Sequence, residues 1–203
     1  MTRLLIMGPP GAGKGTQAVG LAQRIGGAHI STGDIFRENV ANETELGKTA
    51  KQYMDAGKYV PDEVTNAMVR DRLKQPDAQS FVLDGYPRTA DQVDELDSIL
   101  SDMGAELDAV LLLVVSDREE LVQRMIKRAE TSGRTDDTEE VIANRLAIYE
   151  RETAPILDVY RGQGLVVDID GVGTLDEVTA RIFEALAARG LSAGHDGGNG
   201  AAA

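Results

Sequence analysis

The chain has no cysteine, only two histidines, His29 and His195, and no apolar run approaching a membrane span. Without cysteine a disulfide framework and a thiolate zinc site are both excluded, and two imidazoles leave a structural metal short of its usual ligands. The longest apolar runs fall well below the ~20 residues that cross a bilayer, and the N-terminus lacks a charged-then-apolar leader with a cleavage site. The expectation is a soluble, cytoplasmic protein that stays off membranes. A basic excess is missing too. The formal net charge of −13 argues against a nucleic-acid groove, because such binding neutralises phosphates with Lys and Arg. Small anions remain possible ligands if positive residues converge locally. What is present is ordinary globular composition, 203 residues with 42% hydrophobic and 27% charged, enough for one sizeable core carrying small insertions.

The stretch Gly8 to Thr16, GPPGAGKGT, lies between an apolar strand-like run, Leu4 to Met7, and a helix-like pattern from Lys14. That is the setting of a phosphate-binding loop. Gly8, Gly11, Gly13 and Gly15 let backbone N–H groups turn inward around an anion, and the helix N-terminus adds its dipole. Lys14 supplies a point charge. Against the pattern G-x-x-x-x-G-K-[ST], Gly8 and Gly13-Lys14 fit, Gly15 stands at the Ser/Thr position, and the hydroxyl comes one residue late at Thr16. A ligand-free glycine-rich turn would not need the lysine and both flanking elements.

Short apolar runs recur at Leu4 to Met7, Ala28 to Ile30, Phe81 to Leu83, Ala109 to Val115 and Leu165 to Ile169. Helix-length segments separate them, so the expected fold is α/β: a parallel five-stranded sheet with crossover helices on both faces. Ligands then gather at the strands' C-terminal ends, where four polar, turn-prone segments follow: the glycine loop, Ser31 to Asp34, Asp84 to Arg88, and Asp170-Gly171. Ser116 with Glu119 and Thr174 with Glu177 read as capping boxes. Gly26-Gly27 and Gly190 read as helix stops, and Pro155 as a break in a helix running from about Asp137. Residues 32–75 are helical in pattern without a strand, which suggests a small all-helical insertion. The tail 192–203 has no apolar periodicity and reads as disordered.

Two further segments carry chemistry. Asp84 ends a buried strand and can hold Mg²⁺ through water, while Gly85-Tyr86-Pro87 makes a turn that projects Arg88 over the same rim. Arg124, Arg128, Arg134 and Arg145 lie on two successive helices and the loop between them. Forked guanidinium donors suit a phosphoryl group whose charge spreads over three oxygens. The plainer reading, helix-end complementation and surface pairing, is strongest for Arg124.

Across Leu4 to Leu186 the chain resembles the adenylate kinases, of the nucleoside monophosphate kinase family. GPPGAGKGTQ, ISTGDIFR, Ala56 to Pro61, LDGYPRTADQ, SGRTDD and Asn144-Arg145-Leu146 stand at the expected intervals. The resemblance implies a P-loop NTPase-type core (1–30, 61–127 and 139–191) in a domain spanning 1–191. It also implies a nucleoside monophosphate (NMP)-binding insertion at 31–60 and a short lid at 128–138, only five residues separating Arg128 from Arg134 and no zinc site. It implies transfer of the γ-phosphoryl of Mg-ATP to AMP, giving two ADP, in a monomer. Gly11, Ala12, Gly13, Lys14, Gly15 and Thr16 would hold ATP phosphates, with Arg124, Arg128 and Gly173 on the ATP side. Gly173 stands where long-lid relatives often carry Lys, so only backbone would meet adenine there. Thr32, Arg37, Lys58, Tyr59, Val60, Gly85, Tyr86, Pro87, Arg88 and Gln92 would surround AMP. Lys14, Arg88, Arg128, Arg134 and Arg145 would be catalytic, the last two also touching the phosphates in transit. A UMP/CMP kinase is the nearest rival, but it commonly has Ala at the Thr32 position and lacks the Gln92 equivalent. A GTPase-like switch would want an Asn-Lys-x-Asp motif, which is absent.

Overall fold

In the computed structural model the described residues are 1–132 and 138–191. Five strands, β1 (Arg3–Met7), β2 (Ala28–Ser31), β3 (Phe81–Asp84), β4 (Ala109–Val114) and β5 (Val166–Asp170), form one sheet in the order β2-β3-β1-β4-β5. Every pairing is parallel, with Leu5 level with Leu83 on one side and Val110 on the other. The expected α/β class and strand count hold, each strand starting and ending within a residue of its apolar run.

Those runs are continuous because both faces of the sheet are covered. Leu4, Ile6, Leu111 and Leu113 point to one face, where Leu21, Met125 and Ile182 pack. Leu5, Met7, Val110 and Leu112 point to the other, against Val69, Leu96 and Tyr160. The first layer comes from helices α1 (Lys14–Ile25), α6 (Arg118–Ser132), α7 (Glu139–Ile148) and α9 (Leu175–Ala188). The second comes from α4 (Asp62–Leu73), α5 (Ala90–Asp102) and α8 (Leu157–Gly162).

The stretch after β2 contains α2 (Thr32–Ala41), α3 (Glu45–Asp55) and α4, with no strand until β3. Its own apolar centre is small: Phe36, Ala50 and Val60 are buried, with Leu46, Tyr53 and Met54 partly so.

The Thr174–Glu177 capping box forms in full, and Gly26 closes α1 in the left-handed region. At α6 the cap falls one residue later than expected. The Asp117 carboxylate accepts from the N–H groups of Glu119 and Glu120 at 2.9 and 3.4 Å, since a charged acceptor outcompetes the neighbouring Ser116 hydroxyl at a positive helix end. The helical course also changes well before Pro155. A π turn, Tyr149–Thr153, follows α7 directly, and a short 3₁₀ turn, Ala154–Ile156, then carries the proline. The 192–203 tail lies outside the described residues, as does His195. No helix among the described residues is long and apolar enough to cross a membrane.

Candidate active site

All five strands point their C-terminal ends at one rim, and the loops leaving β1, β2 and β3 meet there. Gly8, Gly11 and Gly13 take φ of 142°, 86° and 94°, and the loop curls over the start of α1. Lys14 Nζ donates to the carbonyls of Gly8 at 2.8 Å and Pro9 at 3.0 Å, folding the ammonium into the loop. Burial pushes that ammonium down from 10.5 to about 8. The Asp84 carboxylate pulls it back up, while Arg88, Arg145 and Arg128 push it further down. A cation with depressed basicity facing three guanidiniums marks a place built for anionic charge.

Two adjoining clefts open at this rim. The larger, of about 620 Å³, is lined by Gly11, Gly13 to Thr16, Asp84, Arg124, Arg128 and Arg145. The tighter one, about 120 Å³, lies between the α2–α3 stretch and the core. It is lined by Thr32, Arg37, Lys58, Tyr59, Val60, Gly85 to Arg88, Gln92 and Arg145. Lys14, Arg37, Arg88 and Arg145 border both. The structure therefore gathers the sequence-selected residues into two groups with a shared basic boundary. Ala12 and Gly173 line neither cleft. Ala12 is buried in the loop, and Gly173 sits at the start of α9 close to Glu177. Arg134, with the rest of 133–137 in the 128–138 stretch, lies outside the described residues. Arg124 reaches Glu120 on its own helix and the Gly171 carbonyl at 3.1 Å, which ties α6 to the loop after β5.

The turn after β3 is held tightly. Gly85 has φ 80°, and a Cβ there would lie 2.8 Å from both Arg88 Nη2 and Thr32 Oγ1, so only glycine fits. Its carbonyl accepts from Thr32 Oγ1 at 2.9 Å and from Arg88 Nε at 2.6 Å. The Tyr86–Pro87 peptide is cis. Arg37 Nη2 pairs with Asp34 Oδ1 at 2.5 Å, one turn into α2, whose N-cap is Ser31.

Gln92 is almost fully buried, 1% exposed, and its amide orientation is decided by its neighbours. Its Oε1 accepts from the Arg88 N–H at 2.7 Å, and its Nε2 donates to Asp62 Oδ1 at 2.6 Å. A backbone N–H cannot accept and a carboxylate cannot donate, so the amide can sit only one way round. Asp62 Oδ2 also accepts from Thr89 Oγ1 at 2.7 Å. Sequence reasoning missed Asp62 and Thr153, which orient other residues. Asp62 follows Pro61 and reads only as a first-turn acid of α4, and a threonine inside a helical stretch carries no signal at all.

Asp84 offers a buried carboxylate beside Gly15, whose Cβ would lie 3.4 Å from Oδ2, and Thr16 adds a hydroxyl to the same cleft. Oxygen donors of this kind suit a hard cation. No cluster of three or more acidic, imidazole or thiol side chains among the described residues could hold a metal by itself.

The parallel sheet, the glycine loop opening α1 and the converging cations define a P-loop phosphotransferase of the nucleotide-binding α/β class. The family model described as adenylate kinase matches residues 6–165. The chain is 58% identical to an adenylate kinase of Kocuria rhizophila over 92% of its length and 99% of that protein. It is 57% identical to one of a Nocardioides species over 91% and 96%, and 53% identical to one of Clavibacter michiganensis over 98% and 99%. The chain belongs to the adenylate kinase family, and the UMP/CMP alternative gains no support from these relatives.

Proposed function

We propose that the chain catalyses reversible transfer of the γ-phosphoryl group of ATP to AMP, giving two ADP, as an NMP kinase of the short-lid form. The observation that carries this is the convergence of Lys14, Arg37, Arg88 and Arg145, from four separate segments, on the boundary between two clefts, with Arg128 lining the larger of them. Residues 11–16 would hold the ATP phosphates, with Arg124 and the 171–173 loop toward its base. Arg37 and Arg88 would hold the acceptor phosphate. Arg128, Arg134 and Arg145 would neutralise the group in flight, where catalysis is positioning plus charge compensation. No general base is required, because the acceptor is already an ionised phosphate. Mg²⁺ accompanying ATP would be held near Asp84 and Thr16, where it supplies further neutralisation of the phosphate oxygens. The 31–60 insertion and the 128–138 lid would close over both nucleotides and exclude water, the competing acceptor. A monomer in the cytoplasm fits this reading.

Adenine selectivity follows from hydrogen-bond polarity. The Thr32 proton is engaged by the Gly85 carbonyl, which leaves the hydroxyl oxygen as an acceptor for an exocyclic amine. Gln92 uses one amide N–H on Asp62 and keeps the other for a ring nitrogen. An amine beside an accepting ring nitrogen describes adenine; guanine and uracil present the reverse, and cytosine is smaller. A coupled assay of phosphate acceptance from ATP across AMP, UMP, CMP and GMP should favour AMP by on the order of a hundredfold or more in kcat/KM. Comparable values for UMP would overturn the assignment.

A further inference from the structure

Arg88 is held at four points. Its N–H donates to Gln92 and its Nε to Gly85 O. Its carbonyl accepts from Thr153 Oγ1 at 2.8 Å, and its guanidinium carbon lies 5.0 Å from the centroid of the Tyr59 ring. Tyr59 Oη and Thr153 Oγ1 are themselves 2.7 Å apart. A threonine hydroxyl has one proton, and a carbonyl can only accept, so that proton belongs to the Arg88 contact. Tyr59 must therefore be the donor to Thr153. The result is a directed chain, Tyr59 O–H to Thr153 O–H to Arg88 C=O, whose members strengthen one another in a low-dielectric setting.

The three members come from three segments: the end of the helical insertion, the π turn after α7, and the loop after β3. The neighbourhood of Tyr59 is seated on α7. A Cβ on Gly57, φ 65°, would lie 2.9 Å from the Val141 carbonyl, and Asn144 Nδ2 donates to Ala56 O at 3.5 Å. A side chain without a hydroxyl could cover the guanidinium equally well. Among the described residues the Tyr59 hydroxyl bonds only Thr153, and so serves the chain to Arg88.

We infer that Tyr59 is a positioning residue for Arg88, bonding through Thr153 to its carbonyl and stacking on its guanidinium, so that seating of residues 56–60 on the α7 and π-turn segment sets the acceptor-side arginine. This rests on reading Arg88 as the arginine of the acceptor phosphate. The π turn then has a role, since it delivers Thr153 to the meeting point of insertion and core.

The test compares the full-length protein with Tyr59→Phe, Thr153→Val and the double variant, measuring kcat and KM for AMP and ATP, with calorimetric titration of AMP. Each single change should raise the AMP KM about three- to tenfold and leave the ATP KM within twofold. The double variant should be no worse than the worse single, as members of one chain are not additive. Multiplying effects, an equal rise in the ATP KM, or unchanged AMP affinity in Tyr59→Phe would overturn the positioning role. Thr153 is buried, so if Thr153→Val fails to fold, Tyr59→Phe, altered at a partly exposed residue, decides alone. Absence of AMP turnover in the wild-type protein would instead sink the functional reading, while the titration still reads the Tyr59 contact.

Discussion

The two walls of the cleft are built on opposite plans. On the wall proposed for the acceptor, three groups are already oriented by partners of fixed polarity: Thr32 by Gly85 O, Gln92 by Asp62 and the Arg88 N–H, and Arg88 by Gly85 O and Thr153. On the donor side Lys14 bonds the carbonyls of its own loop and faces like charges. The first arrangement is oriented before a ligand arrives and, on the proposed reading, would select by hydrogen-bond pattern. The second is electrostatically unfinished, and an anion completes it. Selectivity and rate should therefore be separable by mutation.

The largest effect should come from the unfinished wall. Lys14→Ala should lower kcat by about a hundred- to a thousandfold, the range for losing one preorganised charge contact, with the melting temperature nearly unchanged. Parallel loss of melting temperature and turnover would make Lys14 structural and erase the contrast. Next comes the oriented wall. Asp62→Ala leaves the Gln92 amide and the Thr89 hydroxyl without their acceptor. It should raise the AMP KM about tenfold, narrow the preference for AMP over GMP, and spare the ATP KM. An unchanged preference would show that Gln92 needs no orientation by Asp62.

The smallest effect is a pH dependence. Folding lowers the Lys14 ammonium from 10.5 to about 8, so between those values the unfolded chain holds a proton that the folded chain has released. Stability from this group therefore rises with pH across that window, and the penalty is fully present below about 8. The melting temperature of the wild-type protein minus that of Lys14→Met should grow by a few degrees at most between pH 7.5 and 9.5. ATP binding should be flat below about pH 8, then weaken and take up a proton above it. A constant difference in melting temperature would remove the charge conflict attributed to the donor wall.

The fold was legible because a parallel strand covered on both faces must be apolar throughout, and Leu4 to Met7 and Ala109 to Val114 are. The rim was legible for the same reason, since polar turns after such strands have one place to go. What escaped has a common physical cause. Thr153 bonds Arg88 across 65 positions and Tyr59 across 94, and Asp62 bonds Gln92 across 30. Single polar side chains that act at long range leave no periodicity. The π turn escaped because a change from i+4 to i+5 bonding alters no composition, and Pro155 pointed to a break several residues too late. The cap at α6 was misplaced by one position because Ser116 and Asp117 are both competent caps and only the geometry chooses.

The direction of the sheet has a mechanical consequence. Thr2 bonds Ser80 and Phe81 at the start of β3, and Arg189 bonds the carbonyls of Gly164 and Val166 at the start of β5. The chain therefore enters at residue 1 and leaves the described fold at residue 191 along the same edge, opposite the cleft. A molecule tethered at either place would hang with its open face outward. A short linker joining the two would run beneath the sheet, leaving the cleft untouched.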